Sequence, residues 1–281
     1  MNASTGAVTM PSTEGAPTKR KVAGYGWRPD LPDHRDHLFG IQLAPASLPL
    51  EVDLRTSGYM PPIYDQGQLG SCTANAAARL VELDEAKQGL GDVSTPSRLF
   101  IYYYERVLEG TVSEDSGAEL RDAAKVLANL GVPDESEWPY DIDRFTEDPP
   151  PNVDADAYRR RALVYQRVIP GHGRLRSVMA SGYPVMFGFS VPESFESDEM
   201  ASGRDPLLRL PQPGEKIVGG HAVTLVGYDW TAEPRRCLVA NSWGADWCQD
   251  GYYWMEASWF DHSELASDFW VIRRISDPGT T

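Results

Sequence analysis

A cysteine, a glutamine, a histidine and an asparagine are spaced along this 281-residue chain so that they could carry out acyl transfer. Cys72 stands where a glycine-punctuated loop, Asp65-Gln66-Gly67-Gln68-Leu69-Gly70-Ser71, meets an alanine-rich stretch that predicts a helix over 73–87. Its sulfur then lies at a helix N-terminus, where unpaired backbone N–H groups and the helix dipole favour an anion. The thiolate, not the thiol, is the nucleophile. Gln66, six residues upstream across two glycines, can fold back and aim its side-chain amide at the same place, to hold a developing oxyanion. A lone cysteine before such a helix serves equally as a small buried hydrophobe. The chemical reading therefore turns on whether a base and a group to orient it follow downstream.

Both follow. Gly219-Gly220-His221-Ala222-Val223-Thr224-Leu225-Val226 reads as a histidine at the start of a buried, alternating strand. A second strand, from Cys237, ends in Asn241-Ser242-Trp243-Gly244, and Gly251-Tyr252-Tyr253 opens a third. In this order the residues resemble a papain-like cysteine peptidase of the C1 family. There a cysteine opens the central helix, a histidine follows far downstream, and the asparagine of an Asn-Ser-Trp-Gly motif orients it. His221 lies 149 residues after Cys72 and Asn241 lies 169 after it. The first separation falls within the family's usual range of roughly 130–150 residues and the second somewhat above it.

The resemblance extends over about residues 51–275. Val52-Asp53-Leu54-Arg55 resembles the start of the mature family domain, and Asp115-Ser116-Gly117-Ala118 the loop that pairs with extended substrate backbone. Gly131-Val132 followed by Trp138-Pro139-Tyr140-Asp141 resembles the turn after the next helix. Three positions depart from the family pattern: Leu69 replaces a cysteine that would form a disulfide, Thr73 replaces a Trp, and Gly220 replaces a residue that is often Asp or Asn.

The resemblance implies an α+β, papain-like two-lobe fold, with the active site between a helical lobe at about 64–150 and an antiparallel β-barrel-like lobe at about 160–275. It implies a peptidase domain over 51–281. Catalysis falls to Cys72 as nucleophile, His221 as base and then acid, Asn241 as its orienter, and Gln66 with the Cys72 backbone N–H at the oxyanion. Trp243 shields the His–Asn hydrogen bond from water. Substrate binding falls to the Ser116-Gly117 backbone and, for the second residue before the scissile bond, to Ala222 and the 184–189 strand, with Gly188 leaving that pocket deep. The substrate is a peptide or protein, and no metal or other cofactor is called for. An acyl-transfer enzyme with the same triad, in which an amine replaces water, and an inactive peptide-binding relative are the alternatives.

Composition sets outer limits. A hydrophobic content of 41% supports a full core. A net charge of −15 argues against nucleic-acid or anionic-membrane partners, which need a basic surface. Three cysteines are few for an oxidising compartment, so Cys237 and Cys248 are expected as reduced, packed thiols. Residues 1–24 hold no apolar leader and no stretch approaches the ~18 apolar residues of a membrane span, so the sequence leads to the expectation of a cytoplasmic monomer.

Residues 1–24, rich in Ser, Thr, Ala, Gly and Pro, are expected as a disordered tail. Residues 25–50 differ. Tyr25, Trp27, Phe39 and the prolines 29 and 32 crowd a span without helical period, and proline favours an extended course. No long helical pro-region, such as zymogens of this kind often carry, is expected in these residues. The segment 25–40 is therefore expected to cross the front of the domain, either covering the cleft or acting as a strap that only stabilises it. His34 and His37 lack a third ligand nearby. Helices are expected over 97–107 and 119–130, the second closed by Gly131. An acidic, proline-rich connection is expected over 134–156, then strands over 162–169, 184–191, 218–229, 236–241, 251–256 and 269–275, with a short helix near 174–181. The polar loop 193–215 precedes the histidine strand.

Overall fold

The computed structural model describes residues 24–40, 47–90, 93–151 and 153–276. All of the expected tail except Gly24 lies outside them.

Three helices form one lobe. The first, α1 (Cys72–Gln88), is buried on nearly every side, because it runs between a sheet and two further helices. Gly89 ends it in the left-handed conformation at φ 67°, which costs glycine nothing. The second, α2 (Arg98–Glu109), is capped by Ser97, whose hydroxyl accepts from the Phe100 N–H, and is closed by Gly110. The third, α3 (Leu120–Asn129), buries Leu120, Ala123, Ala124 and Leu127 against the others.

The rest is mostly sheet. In chain order come β1 (Glu51–Asp53), β2 (Ala162–Val168), β3 (Val185–Pro192), β4 (Leu207–Leu208), β5 (Ile217–Asp229), β6 (Arg236–Ala240), β7 (Tyr252–Glu256) and β8 (Ala266–Ile275). The order across the sheet is β2-β8-β3-β5-β6-β7-β4, with β1 against β5. Every pairing is antiparallel except β4 with β7. The α+β fold read from the sequence is the one observed. The short pieces were not legible: β1 in the Val52–Arg55 stretch, a one-turn helix α4 (Val153–Ala157) in the acidic connection, and α6 (Asp198–Ala201) with β4 in the polar loop. Helix α5 (His172–Ala180) starts two residues before the span expected for it.

Strand β3 divides the interior. Successive side chains point to opposite faces, so Met186 joins the core around α1 while Phe187 and Phe189 enter a second core of the β lobe. Strand β5 divides likewise, with Ala222 in the first core and Val223 in the second. The two cores meet along these strands.

The segment before β1 is extended and pairs at two points. Trp27 forms a parallel bridge with Ala118, and Leu38 forms one with Arg167 of β2. The second bridge covers the side of β2 that does not face β8.

Candidate active site

His221 lies on β5 opposite Phe189 of β3, and Asn241 follows directly on β6. The His221 Nε2 is 2.8 Å from Asn241 Oδ1, and both side chains are buried. The Ser242 N–H donates to the same Asn241 oxygen at 2.8 Å, which fixes the end of the amide that faces the ring. An acceptor at Nε2 selects the tautomer with the proton there and leaves Nδ1 as a base. The Trp243 ring lies over His221 at 5.1 Å and 29°, and it is buried with it. Burial lowers the His221 pKa from 6.5 to about 4, against the opposing hydrogen bond to Asn241.

Cys72 is the first residue of α1 and has no exposure to solvent. Burial pushes its thiol up to about 12, and the Glu105 carboxyl adds to the rise. Backbone hydrogen bonds from Ala222, Gly26 and Thr73 oppose it. Because they favour the thiolate, these are N–H donors aimed at the sulfur. Ala222 adjoins His221 in β5, so the first residue of α1 lies beside the strand that carries the histidine.

Gln66 is buried in the turn before α1. Its Nε2 donates to the Leu69 carbonyl at 2.9 Å and its Oε1 accepts from Ser242 Oγ at 2.6 Å. The Gln66 backbone N–H donates to the Ser242 carbonyl at 2.9 Å. The loop that carries the glutamine is thus stitched to the loop that carries the asparagine, and one amide hydrogen of Gln66 remains for a ligand.

The extended segment lies across this site. Trp27 N–H donates to the Gly220 carbonyl at 3.0 Å, Arg28 N–H to the Ala118 carbonyl at 3.1 Å, and Ala118 N–H to the Gly26 carbonyl at 2.7 Å. What faces the Cys72 sulfur is therefore the Gly26 N–H, while the Gly26 carbonyl is turned to Ala118. Tyr25 packs edge-on to His221 at 6.2 Å and hydrogen-bonds Glu196. The Trp27 indole enters the core beside Gly188 and Gly220 and is buried.

A polar anchor holds the same segment further along. Asp30 is buried, accepts from the Arg121 N–H at 3.1 Å and from Trp270 Nε1 at 2.9 Å, and its own N–H donates to Asp268 at 2.8 Å. Arg121 also binds Asp36 at 2.9 Å, and Arg167 reaches Asp36 at 3.1 Å and Asp268 at 2.7 Å.

Of the residues read from the sequence as substrate-binding, Gly188 and Ala222 face each other across β3 and β5. Gly117 adjoins Gly26, with no space for a side chain between them. The backbone that pairs with an extended strand is Ala118's, one residue beyond the expected Ser116-Gly117, because the Gly117 N–H is spent on the Tyr102 hydroxyl at 3.1 Å. The Ser116 hydroxyl is turned to Thr111 at 2.8 Å. Sequence reasoning missed Glu105, buried beneath α1 and bonded to Thr73 Oγ1 at 3.0 Å, and it missed the Asp30 anchor. Neither has a signal in spacing, since both depend on segments distant in the chain.

Cys72, Cys237 and Cys248 are all free thiols. Among the described residues no helix is long and apolar enough to cross a membrane, and no group of three or more His, Cys, Asp or Glu is placed to hold a metal ion.

The pattern of the papain family of cysteine proteases matches residues 48–271. The chain is 35% identical over 277 residues to an uncharacterized peptidase C1-like protein of Acanthamoeba polyphaga mimivirus, covering 90% of this chain and 88% of the viral one. It is similar to the crystal structure of xylellain, a cysteine protease from Xylella fastidiosa, with a TM-score of 0.78 and 39% identity over 91% of this chain and 98% of that one. Cathepsin J of Mus musculus is 27% identical over 224 residues, and there the chain spans 64% of the relative's length.

Proposed function

The chain belongs to the papain family of cysteine proteases, and from that premise we propose that it hydrolyses peptide bonds through Cys72, His221 and Asn241 and is held inactive by its own residues 25–40. The observation that carries the reading is the His221–Asn241 bond at 2.8 Å, beside a cysteine that opens a helix. Cys72 gives its proton to His221 as the sulfur attacks the carbonyl carbon of a peptide bond. The Gln66 amide and the Cys72 backbone N–H hold the oxyanion. The tetrahedral intermediate collapses, the amine leaves with the proton from His221, and a thioester remains. Water attacks the thioester, again giving its proton to His221. The acid product departs and the thiol is restored.

Self-inhibition is supported by two features. The segment buries the thiol and the imidazole, so both stay neutral with the thiol near 12 and the histidine near 4. It also offers the sulfur an N–H, where attack needs a carbonyl carbon.

Intact-mass labelling of the full chain with a thiol-reactive epoxide peptidomimetic tests both parts. Slow labelling of the wild type, fast labelling of Trp27→Ala and none of Cys72→Ala are expected. A folded Trp27→Ala protein that takes no label at Cys72 rejects the nucleophile. Equal rates in wild type and Trp27→Ala reject the self-inhibition. Products formed with an added amine would turn the reading toward acyl transfer.

A further inference from the structure

We propose that Asp115 is a positioning residue: it ties the turn that presents the nucleophile to the loop that pairs with an extended strand, and so sets the width of the slot that a substrate backbone enters. The proposal rests on the function proposed above, since it takes the strand now in that slot as a stand-in for substrate.

One carboxylate joins the two loops. Gly70, two residues before Cys72, directs its N–H at both Asp115 oxygens, at 3.0 and 3.1 Å. The Tyr102 hydroxyl donates to Asp115 Oδ1 and accepts the Gly117 N–H at 3.1 Å. Burial, and then the Asp115 carboxylate, raise the Tyr102 pKa above its usual value, so the hydroxyl keeps the proton that it donates. An ionised carboxyl has acceptor sites enough for these bonds, and its charge strengthens each of them. No disulfide ties the loops: Leu69 stands where the family pattern has a cysteine, and Cys72, Cys237 and Cys248 are free.

Gly26 lies between the loops and touches both. A Cβ on Gly70 would lie 3.4 Å from the Gly26 Cα, and a Cβ on Gly117 would fall 2.0 Å from the Gly26 carbonyl oxygen. The slot is therefore as wide as one backbone. The Gly26 N–H faces the Cys72 sulfur, while the Gly26 carbonyl accepts from the Ala118 N–H at 2.7 Å. A substrate strand that takes the same Ala118 N–H is set against the sulfur by that width. The rest of the loop is held independently: Arg106 donates to the Val112 carbonyl at 2.6 Å and to the Glu114 carbonyl at 3.3 Å, and Ser116 donates to Thr111 Oγ1 at 2.8 Å. Asp115 itself is exposed, so removing its carboxyl opens no core cavity. The loop should stay folded and lose only its fixed distance from Gly70.

The test uses full-length protein in the Trp27→Ala background, with Asp115 intact or replaced. Its three probes differ in what they need. A fluorogenic peptide selected on Trp27→Ala needs backbone pairing, p-nitrophenyl acetate has no peptide backbone to pair, and iodoacetamide needs only the thiolate. Asp115→Ala should lower kcat/KM for the peptide at least about tenfold and leave the other two rates within about twofold. Asp115→Asn keeps one acceptor oxygen for the Gly70 N–H and should recover much of the loss. An equal fall in all three rates, or no fall in any, overturns the proposal and leaves the peptidase reading standing. Absence of peptide cleavage and of Cys72 labelling in the Trp27→Ala protein itself overturns the two together. Should Asp115→Ala fail to fold, Tyr102→Phe, which removes the hydroxyl between Asp115 and Gly117, decides by the same three rates.

Discussion

Gly26 and Gly70 pass so closely that a Cβ on Gly26 would overlap the Gly70 carbonyl. The turn leading into α1 and the segment over Cys72 are thus fitted backbone to backbone, and a single added methyl group would force them apart. Gly26→Ala should lift the segment from the cleft while leaving β1 to β8 untouched. Its Cys72 labelling rate is expected to rise at least about tenfold, which corresponds to ~1.4 kcal/mol of lost docking. An unchanged rate, with an unchanged melting temperature, would show that the close approach does not hold the segment down.

Asn241 orients His221 through one oxygen that the Ser242 N–H also fixes. Asn241→Ala should lower kcat by about a hundredfold, because the proton then distributes over both ring nitrogens and the ring turns more freely. KM should change little. Steady-state kinetics in the Trp27→Ala background separates the two parameters.

Trp243 covers the same hydrogen bond, and burial holds His221 well below its usual 6.5. Trp243→Ala admits water and relieves that burial. The His221 pKa should move up from about 4 toward 6.5, so the acidic limb of the pH–rate profile moves up with it. A profile recorded beside Trp243→Phe, which keeps most of the cover, reads the shift directly. A limb that stays in place would mean that the segment alone supplies the burial.

Three carboxylates, Asp30, Asp36 and Asp268, surround two guanidinium groups, Arg121 and Arg167. Burial, and then the Asp268 carboxylate, push Asp30 from 3.8 up to about 7. Between those values the docked segment holds a proton that the released segment gives up. A state that binds the extra proton is favoured at low pH and loses that advantage as pH rises through about 7. Docking should weaken by up to about tenfold per pH unit across this window. The ratio of Cys72 labelling rates, wild type over Asp30→Asn, should climb with pH, since the variant has no charge to lose. A flat ratio would remove Asp30 as the sensor.

Arg160 and Glu85 tie the end of the helical lobe to α1, with Nε and Oε1 2.6 Å apart and both side chains buried. Arg160→Ala strands the carboxyl in the interior and should cost about 3–5 kcal/mol in urea unfolding. Glu85→Gln with Arg160→Met should recover much of that loss.

The sequence was most informative where chemistry is written in local runs. Cys72 at a loop-to-helix join and the Asn241-Ser242-Trp243-Gly244 run could be read directly, and so could the alternation that sets His221 in a buried strand. The crowded aromatics of 25–40 pointed to packing across the domain. Where those rings would lodge was not legible, because the glycines that admit Trp27 stand at 188 and 220, with nothing local to explain them. The pairing of Ala118, and not Gly117, follows from a hydroxyl at Tyr102 that no spacing rule reaches. The Asp30 anchor joins three segments separated by about 90 and 240 residues, and such charge clusters exist only once the chain has closed on itself.

The bridge between Leu38 and Arg167 has a result for the solution behaviour of the protein. The Phe39 N–H donates to the Arg167 carbonyl at 2.9 Å and the Arg167 N–H to the His37 carbonyl at 2.8 Å. These bonds occupy the outer rim of β2, the last strand of the sheet on that side. If residues 25–40 depart, those backbone groups lose their partners, and an unpaired sheet rim is a template for another chain. A copy with its cleft opened is then also a copy able to extend its sheet through a neighbour. Catalytic release and self-association become linked through one strand, and the active form should turn increasingly oligomeric as its concentration rises.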